Sequence, residues 1–148
     1  HKGETWQSTL DALLKIKQAG IKSSVMILNG MGGVKYSDQH AVNSALLMNE
    51  AQPEYLSTLV VSYSMGDERV VEGFGGDYQL PDQLQLFLEL KNLISHLELT
   101  DTVFRSDHAS NYLPLRGTLG KDKAQMLSQL DMALEGRIAL RQEWQRGL

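Results

Sequence analysis

The chain has 148 residues, of which 42% are hydrophobic and 22% charged, and a formal net charge of −4 at pH 7. These values are typical of one globular domain with a substantial core, and the negative charge gives no direct signal for a nucleic-acid partner. The absence of cysteine excludes disulfides, zinc–thiolate sites and an iron–sulfur cluster bound by these residues. The four histidines are not paired at metal-binding spacing, so no local metal site is predicted.

No apolar run approaches the ~20 residues of a membrane span, and there is no signal-peptide pattern. We therefore expect a cytoplasmic protein with no membrane partner. The first residues, HKGETW, carry no initiator Met and lead at once into a predicted helix. We expect the chain to be a piece of something longer, or its ordered part.

Hydrophobic spacing predicts helices and strands in alternation. The helix Gly3–Gly20 has Thr5 as its N-cap and leucines spaced three and four apart. The run Ile21–Asn29 has a continuous apolar centre, which is typical of a parallel strand buried on both faces. The remaining predicted elements are a helix at Asp38–Gln52 capped by Ser37, a strand at Leu56–Ser64, a long loop at Met65–Gln79, a helix at Asp82–Leu97 with Pro81 at its first position, a strand starting at Thr102, and a helix at Lys121–Trp144.

This order predicts an α/β fold: three parallel strands with helical crossovers and four helices, in a single domain over residues 1–148. Ligands in such folds bind at the carboxyl ends of the strands. The loops 29–36, 64–79 and 105–114 all follow strands and should lie on one rim. That convergence favours a pocket at the rim.

The stretch Thr102–Leu115, TVFRSDHASNYLPL, carries the most chemistry. Arg105, Asp107, His108 and Asn111 place a cation, an acid, an imidazole and an amide just past a strand, as in the lining of a pocket. His108 and Asp107 could form a general acid/base pair with Arg105 as an anion anchor. The alternative is a polar loop in which Asp107 and Asn111 cap the backbone and His108 is hydrogen-bonded for structure.

The glycine loop NGMGG, Asn29–Gly33, suggests phosphate binding but matches neither phosphate motif. Lys35 stands where the dinucleotide-binding pattern needs a third glycine, and no Gly-Lys-Ser/Thr follows. We interpret the glycines as positions that permit positive φ and a close approach of the backbone to a ligand. A plain tight turn is the alternative.

Three segments, GIKSSVMILNGMGG, YLSTLVVSYSMGDERV and TVFRSDHASNYLPLRGTLGKDK, resemble the C-terminal half of a radical S-adenosylmethionine (SAM) protein. The resemblance covers nearly the whole chain, and its most specific part is FRS-x-HASNYL-x-L-x-GTL. It is closest to a bacterial iron–sulfur oxidoreductase subgroup related to oxygen-independent coproporphyrinogen oxidase and to the catalytic subunit of Elongator. It implies the C-terminal half of a partial (β/α)6 TIM-like barrel.

In that family the N-terminal half carries C-x-x-x-C-x-x-C, whose cysteines bind a 4Fe–4S cluster. The cluster reductively cleaves SAM to a 5′-deoxyadenosyl radical. This chain has no cysteine. The resemblance therefore implies that SAM and the cluster belong to a longer parent, that this chain forms part of the SAM and substrate cradle, and that it is inactive alone.

The resemblance also implies site residues, although Gly33 stands where the family motif usually ends in an acid. The residues implied for the cofactor are Ile27, Asn29, Gly30, Gly32, Gly33, Ser62 and Tyr63. Those implied for an unidentified small-molecule or macromolecular substrate are Arg105, Asp107, His108 and Asn111. No catalytic residue and no metal ligand is assigned.

Half of an open barrel leaves a sheet edge and an inner face uncovered, so we expect an exposed apolar surface or a homodimer through that edge. Two other classes of function stay open. One is a self-contained α/β module that uses the same loops to bind an anionic metabolite or a nucleotide without catalysis. The other is a regulatory or scaffold domain with no small-molecule site.

Overall fold

The computed structural model describes residues 3–146 and has an α/β fold built on one four-stranded sheet. The strands lie in the order β1-β2-β3-β4; the first three are parallel, and β4 runs antiparallel to β3. In chain order the elements are α1 (Trp6–Gln18), β1 (Ser24–Asn29), α2 (Ser37–Ala51), β2 (Tyr55–Val60), α3 (Glu68–Gly73), α4 (Gln83–His96), β3 (Val103–Ser106), β4 (Leu115–Thr118), α5 (Lys123–Leu134) and a 3-10 turn at Glu143–Gln145.

The core lies between one face of the sheet and the helices α2, α4 and α5. Strand side chains alternate between faces, and Ile27, Leu56 and Phe104 point into this core. The other side of the sheet, which we call the open face, carries the alternate side chains. They include Met26 and Leu28 of β1, Ser57 and Leu59 of β2, Arg105 of β3 and Arg116 of β4.

The open face corrects one expectation from the sequence. The prediction that the first strand is buried on both faces is wrong, since Met26 is 60% and Leu28 41% exposed. Only one layer of helices covers the sheet among residues 3–146. A continuous apolar run therefore does not require two covering layers.

The predicted starts of the helices are confirmed in part. Thr5 caps α1 through a capping box, in which its Oγ1 accepts the Ser8 N–H at 3.1 Å. Asp82 caps α4 in the same way, so Pro81 precedes the cap and does not occupy the first helical position. Ser37 is the first residue of α2 and makes no cap bond.

Three other predicted features were missed or wrong. The predicted helix Lys121–Trp144 ends at Leu134, because Gly136 has φ +66° and the Arg137 N–H bonds the Met132 carbonyl 2.7 Å away, which closes the helix end. A fourth strand, β4, lies where a loop was expected to continue. The predicted long loop also contains the short helix α3.

Gly120 forms the turn between β4 and α5 with φ +97°, and a Cβ there would lie 2.4 Å from the Thr100 carbonyl oxygen. We expect Gly120→Ala to lower the free energy of unfolding by about 3 kcal/mol, because it adds a backbone clash to the strain of positive φ. Gly136 also has positive φ but has no atom within 4 Å of a built Cβ. Gly136→Ala should therefore cost only about 1 kcal/mol. Equal urea midpoints for the two variants would contradict the packing at Gly120.

Candidate functional site

The glycine loop after β1 is fixed by bonds within the chain. The Gly30 N–H donates to Glu89 Oε1 at 2.8 Å, and the Gly30 carbonyl accepts the Tyr78 hydroxyl at 3.2 Å. The Asn29 amide donates to the Leu86 carbonyl at 3.1 Å. Asn29 and Ile27, two of the predicted cofactor residues, are buried towards the helices, on the side of the sheet away from the open face.

The glycines permit close approach, but their neighbours are parts of this chain. Gly30 and Gly33 adopt positive φ, +90° and +62°, as expected. A Cβ at Gly30 would meet Leu86 at 2.9 Å, and one at Gly33 would meet the Tyr78 ring at 3.0 Å. A Cβ at Gly32 would lie 2.9 Å from the Tyr36 carbonyl oxygen. Glycine is therefore required here for packing of the loop.

The loop is held by a buried carboxylate that the sequence analysis missed. Glu89 of α4 is 2% exposed. Its Oε1 faces the Gly30 N–H and lies 3.0 Å from His40 Nδ1, while its Oε2 accepts the Ser37 hydroxyl at 2.7 Å. The available signal was an acid within the apolar stripe of the helix, between Leu86 and Leu93.

A pair of tyrosines lies beside the loop. The Tyr63 and Tyr78 hydroxyl oxygens are 2.9 Å apart, and their rings meet edge to face. Burial, and then the hydrogen bond to Tyr63, raise the pKa of the Tyr78 phenol well above its usual range. Tyr63 therefore helps to anchor the loop, whereas its predicted neighbour in the cofactor site, Ser62, is exposed.

Asn111, in the polar loop after β3, extends the hydrogen-bond ladder of β2. It is 4% exposed; its Nδ2 donates to the Thr58 carbonyl at 2.8 Å and its Oδ1 accepts the Val60 N–H at 3.1 Å. These bonds replace those of a neighbouring strand. They agree with the alternative interpretation from the sequence, in which the Asn111 side chain hydrogen-bonds to the backbone.

The other predicted substrate residues separate into two groups. Asp107 pairs with Arg116 of β4, with the Asp107 Oδ2 2.6 Å from the Arg116 Nε, and does not pair with His108. His108 Nδ1 accepts the Ser110 N–H at 3.1 Å, as in a structural loop histidine. Arg105 is exposed on the open face, directly opposite Arg116. Arg116 thus lies opposite Arg105 and pairs with Asp107, while the side chain of His108 bonds within its own loop.

Two arginines near the C-terminus hold the same loop, and the sequence analysis missed both. Arg141 donates to the carbonyls of Asp107 and His108, at 3.2 and 2.6 Å, and also to that of Asn111. Arg146 donates to the Ser110 carbonyl at 2.9 Å. The sequence gave no signal for this role. The region around Arg141 was predicted to be helical, whereas these contacts require the chain after α5 to return to the polar loop.

A groove of about 410 Å³ lies beside the glycine loop, between the start of α2 and the end of α3. Met31, Tyr36, His40 and Phe74 are among its lining residues. Of the eleven predicted site residues it contains one, Gly32. Two of the three predicted rim loops, 29–36 and 64–79, therefore meet at this groove, through side chains that the sequence did not single out; the loop 105–114 contributes no lining residue.

The fold and these contacts define an α/β protein with an open, mostly parallel sheet. Comparison with known proteins gives no matching family model, no curated relative and no solved structure with a significant match. Within residues 3–146, no group of three or more His, Asp or Glu side chains is placed to hold a metal ion. None of the helices in the described part of the chain combines the length and apolarity that a membrane span requires.

We expect Asn111→Ala to lower the free energy of unfolding by about 2–3 kcal/mol, since it leaves the buried Thr58 carbonyl without its donor. Asn43→Ala is the matched control, because Asn43 is exposed and no hydrogen bond to its side chain is found in residues 3–146. That variant should stay within about 0.5 kcal/mol of wild type. Urea titration measures both, and a neutral Asn111→Ala would contradict the strand-like role.

Tyr78→Phe should change how stability depends on pH. The folded pKa of Tyr78 is raised above the value of about 10 expected in the unfolded chain. As pH rises through about 10 the unfolded state loses its proton first, so stability falls. Tyr78→Phe should reduce this alkaline loss and leave the share of Tyr112, whose phenol pKa burial also raises, while costing about 1–2 kcal/mol at pH 7 through its lost hydrogen bonds.

Urea midpoints measured from about pH 8 to about pH 11 test this expectation. Tyr55→Phe is the control, because Tyr55 is exposed and its hydroxyl has no hydrogen-bond partner in the described chain. It should keep the alkaline slope of the wild type. If Tyr78→Phe keeps the same slope, the buried phenol is not its source.

Proposed function

We propose that this chain is the C-terminal portion of a radical SAM iron–sulfur oxidoreductase and forms part of its SAM and substrate cradle. The observation that carries the proposal is the one-sided sheet, with helices on one face and Met26 and Leu28 exposed on the other. In a partial (β/α)6 barrel the helices lie outside and the inner strand faces line a cavity. Half of such a barrel would have this arrangement, with the antiparallel β4 as a departure from the all-parallel pattern at one end of the sheet.

The chemistry of the open face suits a ligand that is part apolar and part anionic. Met26, Leu28 and Leu59 supply an apolar surface on β1 and β2. Arg105 and Arg116 lie opposite each other on β3 and β4, and like charges in that position destabilise a sheet. One carboxylate, Asp107, offsets only one of them. The remaining positive charge favours an anionic group on the substrate or cofactor.

The cofactors fit this chain unequally. No cysteine is available to bind a cluster, so its ligands would come from the rest of the parent. The Gly30 N–H and carbonyl are already bonded within the chain, so the glycine loop would shape the SAM site without bonding SAM through Gly30. Contacts to SAM would come from Leu28, Leu59 and Arg105. When bound, the two cofactors would supply the 5′-deoxyadenosyl radical; the residues of this chain would position its target and exclude water.

Iron and acid-labile sulfide, measured on the parent chain purified without oxygen and on this chain, test the proposal. We expect about four iron atoms per parent and none in this chain, because its sequence offers no thiolate. A parent without iron, or one no longer than these 148 residues, would contradict the proposal.

Variants of the iron-loaded parent add a test of the cradle. Arg105→Ala should keep the iron content but reduce SAM-dependent turnover about tenfold or more, as expected for loss of a charge-assisted contact. Arg137→Ala is the control, because Arg137 is exposed and pairs with Glu135, away from the open face. It should change neither quantity.

The second candidate is a self-contained α/β module that binds a small molecule without catalysis. The groove of about 410 Å³ favours it, because residues of this chain alone line it. The homodimer through the free edge of β1 and the cytoplasmic location stay predictions under either function.

A further inference from the structure

The groove between the glycine loop, α2 and α3 is lined mainly by apolar and aromatic side chains. Met31, Tyr36 and Phe74 supply a thioether and two aromatic rings, whose centroids are 6.0 Å apart and whose planes are tilted by 46°. None of the lining residues carries a permanent charge. Its volume of about 410 Å³ falls in the range of small-molecule pockets. Lys35, whose Nζ lies 5.4 Å from the centroid of the Tyr36 ring, is paired with Asp77. The uncharged lining with its two aromatic rings therefore favours an uncharged aromatic compound over an anionic metabolite.

One polar group in the groove has a fixed orientation. His40 lines it with a quarter of its side chain exposed, and its Nδ1 lies 3.0 Å from Glu89 Oε1. That same oxygen accepts the Gly30 N–H, which can only donate, and Oε2 accepts the Ser37 hydroxyl. The carboxylate is therefore an acceptor on both oxygens, and Nδ1 carries the proton that it receives.

The other ring nitrogen of His40, Nε2, is then an acceptor in the neutral ring. It makes no hydrogen bond to any residue between 3 and 146. Exposed amides of Gln39 and Asn43 stand at the same groove and likewise make no side-chain hydrogen bond within the described range. A ligand here would meet one oriented acceptor and two adaptable amides.

We propose that this groove binds an uncharged aromatic compound carrying a hydrogen-bond donor, of which a phenol is the simplest, with the donor placed on His40 Nε2. Glu89 is a positioning residue that fixes the tautomer of His40. The site lies beside α2 and α3 and uses none of the open-face residues Met26, Leu28 and Arg105. It does not depend on the radical SAM proposal, so the iron measurement can fail without affecting it.

Methionine-methyl NMR of this chain, titrated with phenol and with anisole, tests the proposal. Phenol should shift the methyl signal of Met31 and bind about tenfold more tightly than anisole, which has the same ring but no donor. The buried core residue Met126 is the internal control and should not shift. Equal affinities for the two probes, or shifts at Met126 without Met31, would overturn the proposal.

His40→Phe keeps an aromatic ring and removes the acceptor, so it should abolish the preference for phenol. His96→Phe is the matched control, because His96 lies exposed on α4 with its Nδ1 bonded to the Asn92 carbonyl. It should bind both probes as wild type does. A phenol preference that survives His40→Phe would overturn the assignment of Nε2.

Ring ¹⁵N shifts of His40 give a readout that needs no His40 variant. The wild type should show the proton on Nδ1, and Glu89→Leu, which removes the acceptor, should release the ring from this tautomer and lower the phenol-to-anisole affinity ratio about tenfold. Glu89→Gln should keep the tautomer and the ratio, because the Gly30 N–H holds the amide oxygen where it still accepts the Nδ1 proton. Should His40→Phe or Glu89→Leu fail to fold, the wild-type tautomer and the phenol-to-anisole ratio still decide. A proton on Nε2 in the wild type would refute the proposal.

Discussion

The buried Glu89 carboxylate joins α4 to a segment that lies 49 to 59 positions earlier in the chain. A charge removed from water is tolerated only when its oxygens are fully bonded, and here the bonds come from the glycine loop, the start of α2 and His40. The carboxylate therefore fixes the rim at the end of β1. The groove, the tyrosine pair and the shape of the glycine loop all depend on that position.

The second constraint is the one-sided sheet. A single layer of helices buries Leu56 and Phe104 and leaves the alternate side chains of the same strands uncovered. This arrangement separates the molecule into a self-sufficient core and a face that lacks a covering layer. The two proposals divide along the same line, since the radical SAM cradle would use the open face and the aromatic site uses the rim beside the helices.

The α/β class, the parallel strands and the helix cap at Thr5 followed from local patterns, because alternation and capping are encoded within a few residues. The candidate site was harder to predict, because its contacts are long-range: Glu89 to Gly30 spans 59 positions, and Asn111 to Thr58 spans 53. Residue type alone marked Asn111 as polar and accessible. Only the fold shows that the oxygen and the nitrogen of its amide both bond to the backbone of β2.

The two arginines that hold the polar loop after β3 affect which substitutions that loop can accept. Arg141 and Arg146 bind the backbone carbonyls of Asp107, His108 and Ser110, and not their side chains. Every amino acid supplies a carbonyl, so these arginine contacts do not depend on which residues occupy those positions, unlike the side-chain bonds of Asp107 and His108. Natural relatives could therefore exchange the side chains at 107 and 108 to suit different chemistry while the arginines still hold the backbone of the loop.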